Sequence, residues 1–299
     1  MKIEGRVAKA ISRLLYKVGF SHHWTMAGFS RALTKITILM YHSVEPHPGP
    51  YVITCEVFQR QLDFIKEKYS VIRLREAETV FRDQSDQERK VIITFDDAYR
   101  NFLEFAYPIL KRFALPCTVF VPTRFIGKSN EWDLDEGIYK QKRLMDRDEL
   151  FQLSSEGLVD FGSHTVDHIS MRDLARSEME RQAIESRRDL EELFHHPIEM
   201  FAYPYGQLRH FSDATTQVLA AAGYRIAVTT RWGTVNSSRE RMTLRRIFVD
   251  EADENEDLRA KIEGQYDWFA AKERMGHGLF LLKSLVKRSQ SWRRERQAQ

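Results

Sequence analysis

Cysteine is scarce in this sequence: Cys55 and Cys117 are the two present among 299 residues. They lie far apart and have no CxxC spacing, so neither a zinc knuckle nor a disulfide framework is indicated. No run approaches the roughly 18 apolar residues of a membrane span. A secretory leader is not evident either, because Arg13 and Lys17 interrupt "AISRLLYKVGF" where an apolar core would be required. These absences lead us to expect a protein of the cytoplasm or of the cytoplasmic membrane face. Internal repeats and low-complexity linkers are also lacking. With 42% hydrophobic and 30% charged residues, the composition is that of a globular protein. The length suits one large domain or two small ones, and an α/β barrel alone takes about 250 residues.

The charge that is present is unevenly placed. Residues 1–35 hold seven Lys/Arg against one acid, and residues 272–299 hold eight against two, yet the whole chain carries only +3. The body between is therefore acidic, which argues against a nucleic-acid groove and suggests ends that touch an anionic surface or acidic neighbours. Val7, Ile11, Leu14, Leu15 and Val18 share one helical stripe, and Met275, Leu279, Leu282 and Val286 repeat the design. Such helices either pack on the barrel or on a twin in a dimer, or lie in a membrane interface. The reading is thus of a basic amphipathic segment over 1–35, a barrel over 36–270 and a basic helical tail over 271–299.

Between the ends, strand and helix patterns alternate. "ITILMY" at 36–41 reads as a strand, and Thr54 caps a helix carrying Phe58, Leu62 and Ile65. "VIITF" at 91–95 is the continuous β-branched run of a strand buried on both faces. A helical stretch interrupted by Pro108 runs to about Phe113, and "CTVFV" at 117–121 is the next strand. Asp146 with Glu149 forms a capping box, and Gly157 ends that helix. "VDFGS" follows as a strand, and Ser177 with Glu180 is expected to cap a long charged helix to about Phe194. "EMFAY" and "YRIAVT" are strands on either side of a helix from Ser212 to Gly223. "DEADENED" at 250–257 reads as a solvated, charged helix start. The alternation predicts a parallel α/β barrel or a doubly wound sheet.

Polar clusters fall where these strands end. His42 follows "TILMY", Asp96 and Asp97 follow "VIITF", His164 and His168 follow "VDFGS", and Tyr203-Pro204-Tyr205-Gly206 follows "EMFA". Taken singly, each has an ordinary explanation as a cap, a turn or a loop histidine. In a parallel barrel, however, the C-terminal strand ends converge on one mouth, so the four clusters would meet there. Two imidazoles and a carboxylate leave an open fourth position, the pattern of a catalytic rather than a structural zinc site. At a strand end both aspartates can reach the mouth, one to bind metal and the other to accept a proton from water.

"TFDD" at 94–97, "SHTVDH" at 163–168 and "AYPYG" at 202–206, in that order, resemble the motifs of the polysaccharide deacetylases of the NodB-homology class, carbohydrate esterase family 4. "LMYHSV" at 39–44 and "FVP…IG…W" from 120 to 132 extend the likeness to about residues 36–250. The resemblance implies a distorted (β/α)7 barrel, here with flanking N- and C-terminal amphipathic helices. It implies a hydrolase that removes N-acetyl groups from an amino-sugar glycan with a divalent metal, Zn2+ above others. Asp96 would be the base, and Asp97, His164 and His168 the metal ligands. Tyr203, Pro204 and Tyr205 would line the groove, with the Tyr205 N–H on the oxyanion, and Trp132 would stack on a sugar.

Two departures stand out. The third motif of the family begins with an arginine that orients the base, and here that position is Ala202. The late Leu-x-His that supplies the general acid is absent from "TLRRIFV" at 243–249. "LMYHSV" is similar to a branch with an N-terminal YH motif, which makes His42 the candidate acid and leaves Arg245 or Arg246 as a substitute for the arginine. The departures also leave open a different class, a carbohydrate-binding or scaffolding barrel that has lost catalysis.

Overall fold

Apolar and β-branched residues fill the first strand, β1 (Ile36–Tyr41), and all six are buried. A computed structural model describes residues 36–270 except 84, 86, 87, 133–140, 235 and 268. The two amphipathic terminal segments thus lie outside the described residues. After β1, the short strands β2 (Ser43–Glu45) and β3 (Val52–Thr54) pair with each other. Helix α1 (Cys55–Lys68) is capped by the Thr54 hydroxyl, as the sequence predicts. It buries Phe58, Leu62 and Ile65, each worth roughly 2–5 kcal/mol against truncation to alanine.

Strand β4 (Ser70–Val71) and helix α2 (Ala77–Arg82) lead to β5 (Lys90–Phe95). A π-helical turn at Phe102–Ala106 passes without a break into α3 (Tyr107–Phe113), so Pro108 lies in a continuous helix directly after the π-turn. Then come β6 (Cys117–Val121), α4 (Arg147–Ser155) and β7 (Val159–Ser163). The Asp146–Glu149 capping box is present at α4. Helix α5 (Arg176–Phe194) begins two residues earlier than the Ser177 cap would place it. Ala175 is its N-cap, with no side-chain bond, because Ser177 already lies inside the first turn. Strand β8 (Met200–Ala202), α6 (Asp213–Ala221), β9 (Ile226–Trp232), β10 (Leu244–Phe248) and α7 (Asn255–Ile262) complete the described elements.

The sheet order β1-β10-β9-β8-β7-β6-β5 closes on itself through β1–β5 pairing from Ile36↔Lys90 to Tyr41↔Phe95. Seven parallel strands therefore form a barrel. The β5–β6 pairing covers only Thr94 and Phe95, and β4 pairs with the start of β5, so the barrel is irregular at that seam. "DEADENED" does lead into a helix and leaves Asp250, Glu254 and Glu256 exposed, but it is not solvated throughout: Asp253 and Asp257 are buried, and Asp253 bonds Lys261 at 2.5 Å. A buried carboxylate needs such a partner.

Alternation along the strands divides the interior. Ile38, Ile92, Phe120, Met200 and Val228 fill the half nearer the strand starts. In phase with them, Ile92 is followed by Thr94 and Asp96, Gly162 by His164, and Leu244 by Arg246, so the half nearer the strand ends is polar. Gly162 is required where it stands. A Cβ there would lie 2.6 Å from the Phe120 ring and 2.8 Å from the Met200 carbonyl.

Candidate active site

Asp96 and Asp97 share the end of β5 because the chain turns between them. Asp97 has φ 72° and Ala98 φ 51°, both left-handed. Thr165, His168 and Tyr205 are left-handed as well, at 66°, 51° and 59°. Each such non-glycine residue costs on the order of 1–3 kcal/mol, and here they gather at the barrel mouth, where such strain is characteristic of a functional site.

Asp97 meets both histidines. Its Oδ1 lies 3.6 Å from His164 Nε2 and 3.2 Å from His168 Nε2, and all three residues are buried. His164 Nδ1–H donates to the Ala202 carbonyl at 2.7 Å, which fixes the tautomer and leaves the Nε2 lone pair facing Asp97. Asp97 Oδ1 is buried with no hydrogen-bond partner. Lone pairs converging in a dry pocket repel unless a cation lies between them. Zinc bonds of 2.0–2.2 Å imply tetrahedral ligand–ligand edges of roughly 3.3–3.6 Å, close to the separations here. These residues therefore fit a divalent metal, and among the described residues they are the one such group of three.

The electrostatics agree. Burial pushes the His164 imidazole down to about 4, so it is neutral at neutral pH, as a ligand must be. Burial works against ionisation of Asp97, yet the His168, His42 and His164 imidazoles together hold its carboxyl well below the usual range.

Asp96 has a different partner. Arg246 reaches across the interior and donates from Nη1 and Nη2 to the two carboxylate oxygens, at 2.7 Å each. Its Nε donates to the Thr229 carbonyl at 2.9 Å, and Nη1 also reaches the Thr94 hydroxyl at 3.2 Å. The guanidinium sits 5.7 Å over the Phe120 ring and is fully buried. Burial opposes ionisation of Asp96, but Arg246, His164 and His42 outweigh it and lower its pKa. Of the two arginines proposed from sequence, Arg246 is thus the one at the site. Arg245 points the other way, donating to the Trp232 carbonyl. Ala202, which stands where the family has its arginine, faces the same barrel interior.

His42 Nε2 lies 3.9 Å from Asp96 Oδ2, with the imidazole between Tyr51 and Phe248 at ring distances of 6.0 and 6.3 Å. Trp132 stacks on His168 at 4.3 Å, and the Tyr205 ring, 45% exposed, meets the same imidazole edge-on at 5.2 Å. Pro204 is buried beside it. Tyr203 does not reach the groove. It lies outside the barrel wall because it is out of phase with Ala202, stacks on Phe211 at 4.7 Å and donates its hydroxyl to the Met242 carbonyl. Asp167, between the two histidines in sequence, faces Arg124, Arg181 and Gln182 and stands apart from the group of Asp97, His164 and His168.

A carboxylate held ionised beside two imidazoles and a second carboxylate, all at the C-terminal end of a parallel barrel, is equipped for metal-assisted hydrolysis. The family profile described as polysaccharide deacetylase matches residues 83–227. It is 25% identical to the putative polysaccharide deacetylase YxkH of Bacillus subtilis over 72% of this chain and 71% of that one. It is 24% identical to a poly-beta-1,6-N-acetyl-D-glucosamine N-deacetylase of Staphylococcus epidermidis, over 67% of this chain and 68% of that one. Its fold is shared with IcaB from Ammonifex degensii at TM-score 0.67 and 21% identity, over 77% of this chain and 98% of the other.

Proposed function

We propose that the protein is a zinc-dependent N-deacetylase of an amino-sugar glycan or glycan precursor, with Asp97, His164 and His168 as ligands. The observation that carries this reading is the two-pronged Arg246–Asp96 contact beside the convergent Asp97, His164 and His168 atoms. The substrate class follows from the poly-N-acetylglucosamine deacetylase among the relatives. When bound, the metal supplies Lewis-acid polarisation of the acetyl carbonyl and lowers the pKa of water.

The chain's own residues do the rest. Asp96 receives the proton of the attacking water. Arg246 fixes the carboxylate plane and keeps it ionised, while each carboxylate oxygen retains a lone pair for the water. The Tyr205 N–H holds the oxyanion. His42 protonates the departing amine, which would otherwise leave as an anion. Tyr205 and Trp132, on either side of His168, border the sugar. Ala202 and the missing late histidine were the reasons to consider a barrel that has lost catalysis; Arg246 on Asp96, and His42 at 3.9 Å from the same carboxylate, favour the enzyme.

Release of acetate from N-acetylglucosamine oligomers tests the reading. Wild type loaded with zinc should hydrolyse them, and Asp96→Asn should bind metal yet fail. Full activity in metal-loaded Asp96→Asn would refute the base assignment. Absence of metal from the wild type, even after zinc is supplied, would favour the binding barrel. Peripheral membrane association through the basic ends is a separate proposal. Among the described residues no helix is long and apolar enough to cross a membrane. Liposome flotation with and without residues 1–35 and 272–299 decides it.

A further inference from the structure

Five residues, His164 to His168, carry two of the three metal ligands, and two of the five have left-handed backbone. A loop under that strain holds its ligands in place only if its polar backbone groups are tied down. The His164 N–H donates to the Val121 carbonyl, the Thr165 N–H to the Ser163 hydroxyl, and the Thr165 and Val166 carbonyls accept from Thr123 and Arg124. The next two N–H groups, of Val166 and Asp167, both donate to the side-chain oxygen of Gln182 on α5, at 2.9 and 3.0 Å.

Gln182 is fully buried. Its Nε2 donates to Asp167 Oδ2 at 2.6 Å and to Glu178 Oε1 at 2.9 Å, so both halves of the amide are used and its orientation is fixed. Arg181 on the same helix also bonds Asp167. No other residue type serves equally well. Asparagine is one methylene too short, methionine offers no acceptor for the two N–H groups, and glutamate would set a third carboxylate against Asp167 and Glu178.

Resting on the metal reading above, we infer that Gln182 is a positioning residue for the metal centre. By reading two consecutive N–H groups from the side of α5, it sets the direction in which His168 presents Nε2. Outer partners of this kind change metal affinity by roughly 10–100-fold when removed.

The test is zinc affinity of the full-length, metal-stripped chain, measured by competition with a chromophoric chelator, at a temperature where circular dichroism shows each variant folded. Gln182→Met should bind zinc about 10–100-fold more weakly than wild type. Arg181→Gln, a change at a partly exposed site that should fold in any case, should shift affinity the same way by less. The double variant Gln182→Glu with Asp167→Asn recreates an acceptor for both N–H groups and a donor facing it, and should recover affinity lost in Gln182→Glu alone. A purely structural role would lower the melting temperature of the metal-free protein and leave the affinity of its folded form unchanged. Wild-type affinity in folded Gln182→Met, or in Arg181→Gln should Gln182→Met not fold, overturns the inference. His168→Ala separates the two levels. If wild type and His168→Ala bind zinc alike, the metal reading has failed. If His168→Ala alone loses zinc, only the role of Gln182 has.

Discussion

Replacing Arg246 with methionine removes the buried guanidinium that pairs with Asp96. The change deletes two bonds to the carboxylate, one to the Thr94 hydroxyl and one to the Thr229 carbonyl. Asp96 would remain 2% exposed with His42 at 3.9 Å as its nearest ionic partner. Leaving a buried charge without its partner costs about 3–5 kcal/mol, which for a domain of this size lowers the melting temperature by roughly 6–20 °C. The pKa of Asp96 should also rise, because burial, now opposed mainly by Arg246, becomes the dominant influence. A base works only when ionised, so activity should disappear as pH falls through the new, higher value, whereas wild type should keep an ionised Asp96 well into the acid range. The rate at neutral pH should fall about 10²–10⁴-fold through loss of a fixed base. Arg246→Lys should recover charge but not the two-pronged contact, and so only part of the rate. The assay is kcat/KM for acetate release from pH 4.5 to 8, with metal content and thermal melting measured in parallel. A folded, metal-loaded Arg246→Met with the wild-type pH profile would refute the argument.

Other outcomes follow from the same geometry. His42→Ala should lose about 10²–10⁴-fold in kcat with metal content unchanged; loss of bound metal instead would move His42 from proton donor to ligand shell. In metal-free protein His164 titrates at about 4 when folded and near 6.5 when unfolded. The unfolded state then binds the extra proton, so stability should drop by about 2 kcal/mol from pH 8 to pH 5, and denaturant melts of wild type against His164→Asn should show the slope only in the former. Lys261→Met should destabilise by about 3–5 kcal/mol by removing the cation paired with the fully buried Asp253, and adding Asp253→Asn should return most of it. If the single and double variants melt together, the ion pair does not matter to stability.

The sequence by itself determined the strand–helix alternation of a parallel α/β fold, and with its motifs pointed to the barrel and to Asp97, His164 and His168 as one group. "ITILMY", "CTVFV" and "VDFGS" coincide with β1, β6 and β7; the first two leave a near-continuous apolar signal because a parallel strand is covered on both faces. Asp97, His164 and His168 were legible because strand ends in such a barrel share one mouth. The cap of α5 was misread because a serine in the first turn looks like a serine before it, and Tyr203 because a motif does not say which side of the strand each member takes.

What only the tertiary structure decided is the partner of Asp96. Adjacent arginines hid β10 from a reading by apolar runs, and neither Arg245 nor Arg246 is marked by its neighbours, since Leu244 and Ile247 are both buried. The choice rests on which of two faces opens on the barrel interior beside Ala202. Gln182 is a similar case: it belongs to a charged helix, and its role exists only because α5 packs against the ligand loop. Side-chain period is local and can be read along the chain, whereas a contact across 150 residues, like that from Arg246 to Asp96, depends on how every strand between them is registered.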